Sequence, residues 1–207
     1  MSQYSIVAKN PESTVVSEYT PPVRIERGYQ SEAALEKEFI DLLKSQAYEY
    51  LSVKDEAQLV ANLKVQLEKL NRYEFTFSEW KRFLNEQLSN PNLGIAEKSE
   101  MIHENYILPL TQDDGTIKNI YIIDKDNIHN NSLQVINQYA TSAGQRENRY
   151  DVTILVNGFP MVHIELKRRG VPLVAAFDQI DRYCRESFWA GAGLYEYIQL
   201  FVISNGT

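Results

Sequence analysis

The sequence predicts a mixed α/β domain built around one sheet, and three observations carry that prediction. Apolar residues recur at helical spacing between residues 32 and 103. After Pro109 the period shortens to that of extended chain. A helix-length segment at about 173–187 then precedes a last run of buried-strand type at 197–203. The 207 residues suit one domain, or one domain with a helical elaboration. A hydrophobic fraction of 43% beside 24% charged residues is enough for a core without a disulfide or metal staple.

The elements follow in order. Residues 1–30 read as a polar, irregular lead in which Pro21 and Pro22 bar a helix. Ser31 is an N-cap and Glu32 puts negative charge in a first turn, so a helix is predicted over 32–46 with Leu35, Phe39, Leu42 and Gln46 on one face. Residues 53–108 read as a helical insertion. Leu59, Leu63, Leu67 and Leu70 make one stripe that stops at Asn71; Phe77, Trp80, Phe83, Leu84 and Leu88 make a second, broken at Asn90-Pro91. A third, weaker helix runs over 95–103.

Residues 117–207 hold the predicted sheet and its helix. The turn Asp113-Asp114-Gly115 leads into a strand at 117–123; Leu133, Val135, Ile136 and Tyr139 suggest another. Residues 141–148 are a polar loop. Strands at 150–156 and 161–167 flank the hairpin signal Asn157-Gly158. Val171-Pro172 opens the helix at 173–187.

Composition excludes several functions. Cys184 is the only cysteine, which rules out a disulfide framework and a cysteine-rich zinc site and fits a reducing compartment. Apolar runs such as 152–156 are far too short to cross a bilayer. Residues 1–10 lack the pattern of a secretory signal, so the expected location is the cytoplasm, with no membrane partner. The net charge is -7, so nucleic acid would have to be held by a local basic patch, a metal or partner subunits.

The chemistry gathers between Asp151 and Tyr183. Alternation along 161–167 puts Val162, Ile164 and Leu166 on one face and Met161, His163, Glu165 and Lys167 on the other. On the preceding strand Tyr150, Val152, Ile154 and Val156 share a face, and Asp151, Thr153 and Leu155 share the opposite one. Asp151 meets Glu165 only if the hairpin loop is odd, for instance Asn157-Gly158-Phe159 with a bulge at the glycine; a plain two-residue turn would part them. Two adjacent carboxylates repel unless a cation joins them. A hard divalent cation with oxygen ligands, Mg²⁺ in the cell, suits the pair, and Lys167 could hold a water beside it. That set serves metal-assisted phosphodiester hydrolysis. Read alone, an E-x-K strand face is also what a solvated, salt-bridged surface presents.

The compound pattern is more specific. Tyr150-Asp151, then Glu165-Leu166-Lys167 after 13 intervening residues, then Gln179 and Tyr183 on one helix face, resembles the PD-(D/E)XK nuclease superfamily and the Q-x-x-x-Y motif of its RecB-like branch. Tyr150 departs from the proline often found there. The segments 26–36, 135–139, 151–156, 162–167 and 201–207, with the linker Asn157-Gly158-Phe159-Pro160, are similar to the N-terminal endonuclease domain of type I restriction enzyme R (motor) subunits. The resemblance spans about 26–207 and is loosest over 53–103.

That resemblance implies a restriction endonuclease-like mixed sheet flanked by helices and a Mg²⁺-dependent DNA endonuclease. Asp151, Glu165 and the Leu166 backbone carbonyl would bind metal, Lys167 would position water, and Gln179 and Tyr183 would support the site. Glu36 stands where the superfamily's first helix often offers a carboxylate. It also implies a fragment of a longer chain whose motor domains use ATP; this sequence has no G-x-x-x-x-G-K-[ST] and no ATPase of its own. The implied partners are double-stranded DNA, those motor domains, and the methylation and specificity subunits. Arg168, Arg169, Arg182 and Arg185 are candidate phosphate contacts. His163 shares the site face, His103 and His129 read as fillers, and Cys184 as a small buried hydrophobe. Two rivals remain open: a free-standing repair or recombination nuclease, and an inactive nuclease-like docking module.

Overall fold

The computed structural model describes residues 3–9, 15–20, 30–141, 148–168, 170–183 and 193–205. Where the sequence suggested an irregular lead, two strands, β1 (Gln3–Lys9) and β2 (Val15–Thr20), pair antiparallel. Helix α1 (Glu32–Ser45) begins as predicted, with the Ser31 hydroxyl accepting from the Ala34 N–H. Its buried face is Ile40 and Leu43, whereas Leu42 is half exposed. Both leucines are apolar, so only docking could choose between faces one residue apart.

A short strand β3 (Glu49–Tyr50) precedes α2 (Glu56–Asn71), capped by Asp55. Leu59, Leu63 and Leu67 are completely buried, roughly 2 kcal/mol of hydrophobic stabilisation each. Then come α3 (Phe77–Phe83), a π-helical turn at Leu84–Leu88 and α4 (Ile95–His103). Phe77, expected in the second stripe, sits at the helix start and faces solvent, while Phe83 and Leu88 are buried. A strand the sequence did not signal, β4 (Ile107–Thr111), pairs with β5 (Ile117–Tyr121) in a separate hairpin. Pro109 had suggested only the end of the helical region; it sits in a two-stranded ribbon, where a missing N–H is tolerated.

The main sheet has the order β3-β6-β7-β8-β9, with β6 Leu133–Thr141, β7 Asn148–Val156, β8 Phe159–Leu166 and β9 Leu200–Ser204. The three central strands are antiparallel to their neighbours among themselves, and the two outer strands join in parallel. Helix α5 (Leu173–Tyr183) connects β8 towards β9. The last strand, predicted over 197–203, begins only at Leu200; Tyr197 belongs to a 3₁₀ turn, Leu194–Tyr197, before β9.

The sheet is covered on both sides. Ile40 and Leu43 of α1 pack with Val135, Val152, Ile164 and Leu166 on one face. On the other, the α2–α4 side chains share a core with Ile136, Leu155, Phe159, Ile180 and Tyr183. The helical region is therefore part of the sheet's own packing. Lys98 of α4, fully buried, pairs with Glu196 of the 3₁₀ turn, and the Tyr197 hydroxyl donates to the Leu88 carbonyl at 2.9 Å. A mixed sheet flanked by helices in this way is a restriction endonuclease-like fold.

Candidate active site

The β7–β8 hairpin sets the site, and its geometry differs from the expected odd loop. Asn157 and Gly158 form a two-residue turn with φ of 50° and 84°, the twist-compatible type with both central residues left-handed. The turn is wedged against α2, where a Cβ on residue 158 would lie 2.6 Å from the Leu63 Cα. Asn157 is buried and its side-chain amide donates to the Ile122 carbonyl at 3.0 Å and to Asn131 Oδ1 at 2.7 Å.

Leu155 pairs with Pro160 and Val156 with Phe159, but Ile154 pairs with Val162. Met161 is thus an extra residue, a bulge beside a proline that cannot donate to a central ladder. The bulge restores the register that the two-residue turn would have lost. The ladder ends at Val152 and Ile164, and continuing its register by one residue sets Asp151 opposite Glu165, whose charge acts on it.

Five of the expected residues meet here: Asp151, Glu165, Lys167, Gln179 and Tyr183. Asp151 Oδ2 accepts from the Leu166 N–H at 2.9 Å. Lys167 Nζ donates to Glu165 Oε1 and to Gln179 Oε1, both at 2.7 Å. Gln179 Nε2 donates to the Tyr183 hydroxyl, which donates in turn to the Arg149 carbonyl at 3.1 Å. Gln179 and Tyr183, one turn apart on α5, therefore fasten the lysine to the end of β7.

Burial shapes the electrostatics. Glu165 is completely buried. Burial, and then the charge of Glu165, push the Asp151 carboxyl up to about 7, against the restraint of the Leu166 N–H and Lys167. Burial works to lower the Lys167 pKa, but the bond to Glu165 and the nearby carboxylates prevail and raise it, so the ammonium stays charged. His163 is buried behind Glu165, its Nε2 3.5 Å from Glu165 Oε2, and burial lowers its pKa, keeping the ring neutral. It packs edge-on against Tyr150 and Tyr183.

The donor set fits a hard cation. Among the described residues no hydrogen bond reaches the buried Glu165 Oε2. The Glu165 charge raises the proton affinity of Asp151, and a divalent cation between the two carboxylates would relieve that repulsion. Among the described residues no three His, Cys, Asp or Glu side chains converge as a metal cluster. Backbone carbonyl and water oxygens, which Mg²⁺ commonly takes, could complete such a site.

A stability consequence follows. A carboxyl whose folded pKa lies above its unfolded value favours the fold while protonated. That contribution is complete below about pH 4 and is lost as pH rises through 7. In metal-free buffer Asp151→Asn should therefore be the more stable protein at pH 7.5, by about 2 kcal/mol after allowance for partial solvent screening. Urea unfolding at pH 5 and pH 7.5 measures it; an unchanged pH dependence in the variant would contradict the assigned burial and repulsion.

The remaining candidates are dispersed. Glu36 lies close enough for its charge to raise the Asp151 pKa, but its oxygens accept from Asn137 Nδ2 at 2.5 Å and from Gln138 Nε2. Arg168 and Arg182 are exposed, the former's backbone N–H donating to Glu32 at 3.1 Å, the latter lying over the Tyr183 ring. Arg169, Arg185 and Cys184 lie outside the described residues, as does the loop 142–147. His103 Nε2 meets Gln199 Oε1 at 3.0 Å, and His129 sits in an exposed turn. Tyr150 does not share the face of Val152; it stacks on Tyr139 and packs with Tyr195. The polar set around Glu36, namely Lys54, Asn137, Gln138 and Arg149, was missed. Its signal was the spacing of Ile136 and Tyr139, three residues apart, which a regular strand cannot bury on one face.

Known proteins resemble this chain in sequence along most of its length. The profile of the family described as type I restriction enzyme R protein N terminus matches residues 29–207. The type I restriction enzyme EcoprrI endonuclease subunit of Escherichia coli is 46% identical over 202 residues, 97% of this chain and 64% of that protein. The SsaAORF53P endonuclease subunit of Staphylococcus saprophyticus is 39% identical over 183 residues, 86% of this chain but 19% of that protein. The SauMSSORF170P endonuclease subunit of Staphylococcus aureus is 37% identical over the same shares. The chain thus spans less than two thirds of each of these relatives. With a profile matching most of its length and identities at this level, the chain belongs to the family of type I restriction enzyme R protein N termini.

Proposed function

We propose that this chain is the Mg²⁺-dependent endonuclease module of a type I restriction R subunit, hydrolysing phosphodiester bonds of double-stranded DNA. The observation that carries the reading is the Lys167 ammonium held between Glu165 and Gln179, beside an Asp151 carboxylate brought across from Glu165 by a bulge. Asp151, Glu165 and the Leu166 carbonyl would hold the cation. Bound there, it would supply Lewis-acid polarisation of a phosphate and an acidified water.

The chain's own residues do the rest. Lys167 is fully charged and so serves as a hydrogen-bond donor and countercharge to the phosphate. Gln179, anchored by Tyr183, fixes the direction of that ammonium. Neutral His163 fills the space behind Glu165 and keeps water from that side.

The wider assembly belongs to the same proposal. Motor domains elsewhere in a longer polypeptide would use ATP to move DNA, and methylation and specificity subunits would choose the site, all in the cytoplasm. The helices described are too short or too polar to cross a membrane.

The net charge of -7 bears on DNA binding. Long-range repulsion opposes the duplex, and of the four candidate phosphate contacts Arg168 and Arg182 are described and exposed. The chain by itself should bind DNA weakly, with a dissociation constant on the order of 10⁻⁴ M and an affinity that falls steeply as salt rises. A gel-shift titration across salt, beside plasmid cleavage by the chain and by the reconstituted complex, tests this. Tight binding at physiological salt with rapid plasmid degradation by the chain alone would favour a free-standing nuclease.

A further inference from the structure

Besides the bulge at Met161, the main sheet breaks its alternation at Gln138, across from Asp151. Asn137 pairs with Val152, and Tyr139 with Tyr150, but no ladder rung joins Gln138 to Asp151. Gln138 has φ of 53°, in the left-handed region. The packing shows the result. Val135 and Val152 lie against α1, while Tyr139 and Tyr150 lie in the core on the opposite face, although four residues along β6 and two along β7 would restore the same side in regular strands.

A residue with a Cβ in that conformation costs roughly 1–2 kcal/mol, so the surroundings must hold it. The Gln138 side chain is held at both ends: Nε2 donates to Glu36, and Oε1 accepts from Arg149 Nε. The other Glu36 oxygen accepts from Asn137 Nδ2. Lys54 Nζ donates to the Asn137 carbonyl at 2.7 Å and to its Oδ1 at 3.1 Å, and the Tyr50 hydroxyl donates to that Oδ1 at 2.9 Å. On the facing strand the Arg149 carbonyl receives the Tyr183 hydroxyl. Both strands are thus fastened within two residues of Asp151, and the fastening continues through Tyr183 and Gln179 to Lys167.

We infer that Gln138 is a positioning residue for Asp151: clamped between Glu36 and Arg149, it holds the kink that sets the direction of the Asp151 carboxylate towards Leu166 and Glu165. Releasing the clamp lets residue 138 relax to extended backbone. Tyr139 and Tyr150 are then drawn towards regular alternation, and Asp151 moves with its neighbour. This inference deepens the nuclease reading and rests on it.

Two substitutions separate backbone from clamp. Gln138→Gly removes the side chain but tolerates the left-handed backbone; Gln138→Val removes the side chain and resists that backbone. Mn²⁺ binding to the chain is measured by calorimetry, the Mg²⁺ concentration for half-maximal plasmid cleavage in the reconstituted complex, and folding by thermal melting. The expected result is a roughly tenfold weaker Mn²⁺ affinity for Gln138→Val, a smaller loss for Gln138→Gly, and a matching rise in the Mg²⁺ half-point. A merely structural role would lower melting and folded fraction but leave the affinity of the folded protein and the Mg²⁺ half-point unchanged. Wild-type values in folded Gln138→Gly and Gln138→Val overturn the inference; if the valine variant does not fold, a wild-type result for the glycine variant does so alone. Failure of the nuclease reading looks different: the wild-type chain would then show no Mn²⁺ binding that Asp151→Ala abolishes, and the inference falls with it.

Discussion

Glu165→Ala should reduce DNA cleavage by the assembled complex at least a thousandfold, while ATP turnover stays within about twofold of wild type. Glu165 is buried and supplies one of the two carboxylates proposed to hold the cation, so its loss removes several kcal/mol of charge stabilisation from the transition state, roughly three powers of ten in rate. Lys167→Ala should fall almost as far, because the ammonium beside the phosphate disappears and Gln179 loses its partner. The ATPase should be spared because the sequence carries no nucleotide-binding loop. Plasmid linearisation and phosphate release, measured on one preparation of complex, read both effects. A complex that assembles but loses ATP turnover with either substitution would overturn the division of labour. Undiminished cleavage in both variants would support the docking-module reading instead.

Lys98→Ala should be the most damaging substitution remote from the site, destabilising the fold by about 3–5 kcal/mol. Lys98 is completely buried and Glu196 nearly so. Removing the lysine leaves a carboxylate buried without its countercharge, and the lost side chain also opens space beneath the Tyr197 ring. The pair joins α4 to the turn that leads into β9, so the penalty falls where the helical region meets the sheet. Replacing both members, as Lys98→Met with Glu196→Leu, should regain much of the loss, because no lone charge remains. Urea unfolding of the three proteins checks this. A loss under about 1 kcal/mol for Lys98→Ala would mean that Glu196 reaches solvent and the pair is not a buried one.

These two experiments probe different parts of one packed unit. The helices of residues 56–103 share a core with the strands that carry Asp151 and Glu165. Tyr195, on the turn that holds Glu196, packs on Tyr150 and shares a hydrogen bond with Thr153 at 3.2 Å. Loosening the Lys98–Glu196 pair therefore acts on the aromatic layer beneath the site.

Sequence by itself determined the elements whose physics is local. Ser31 caps α1, the Leu59–Leu63–Leu67 stripe buries α2, and Asn157-Gly158 makes the hairpin turn, because each depends on spacing or on backbone freedom within a few residues. It also placed Asp151, Glu165, Lys167, Gln179 and Tyr183 on the elements where they are found. Tertiary structure alone decided the rest. Both strand faces carry apolar residues, so the register depended on where an extra residue could be accommodated, and Pro160-Met161 supplied it rather than the loop. The choice of Leu43 over Leu42 came from docking on the sheet. The kink at Gln138 is held by groups distant in sequence, Lys54, 83 residues from Asn137, and Glu36, 102 residues from Gln138, whose hydrogen bonds outweigh the local cost of left-handed backbone. A short-range pattern cannot record such bonds, because their energy exists only once distant segments have met.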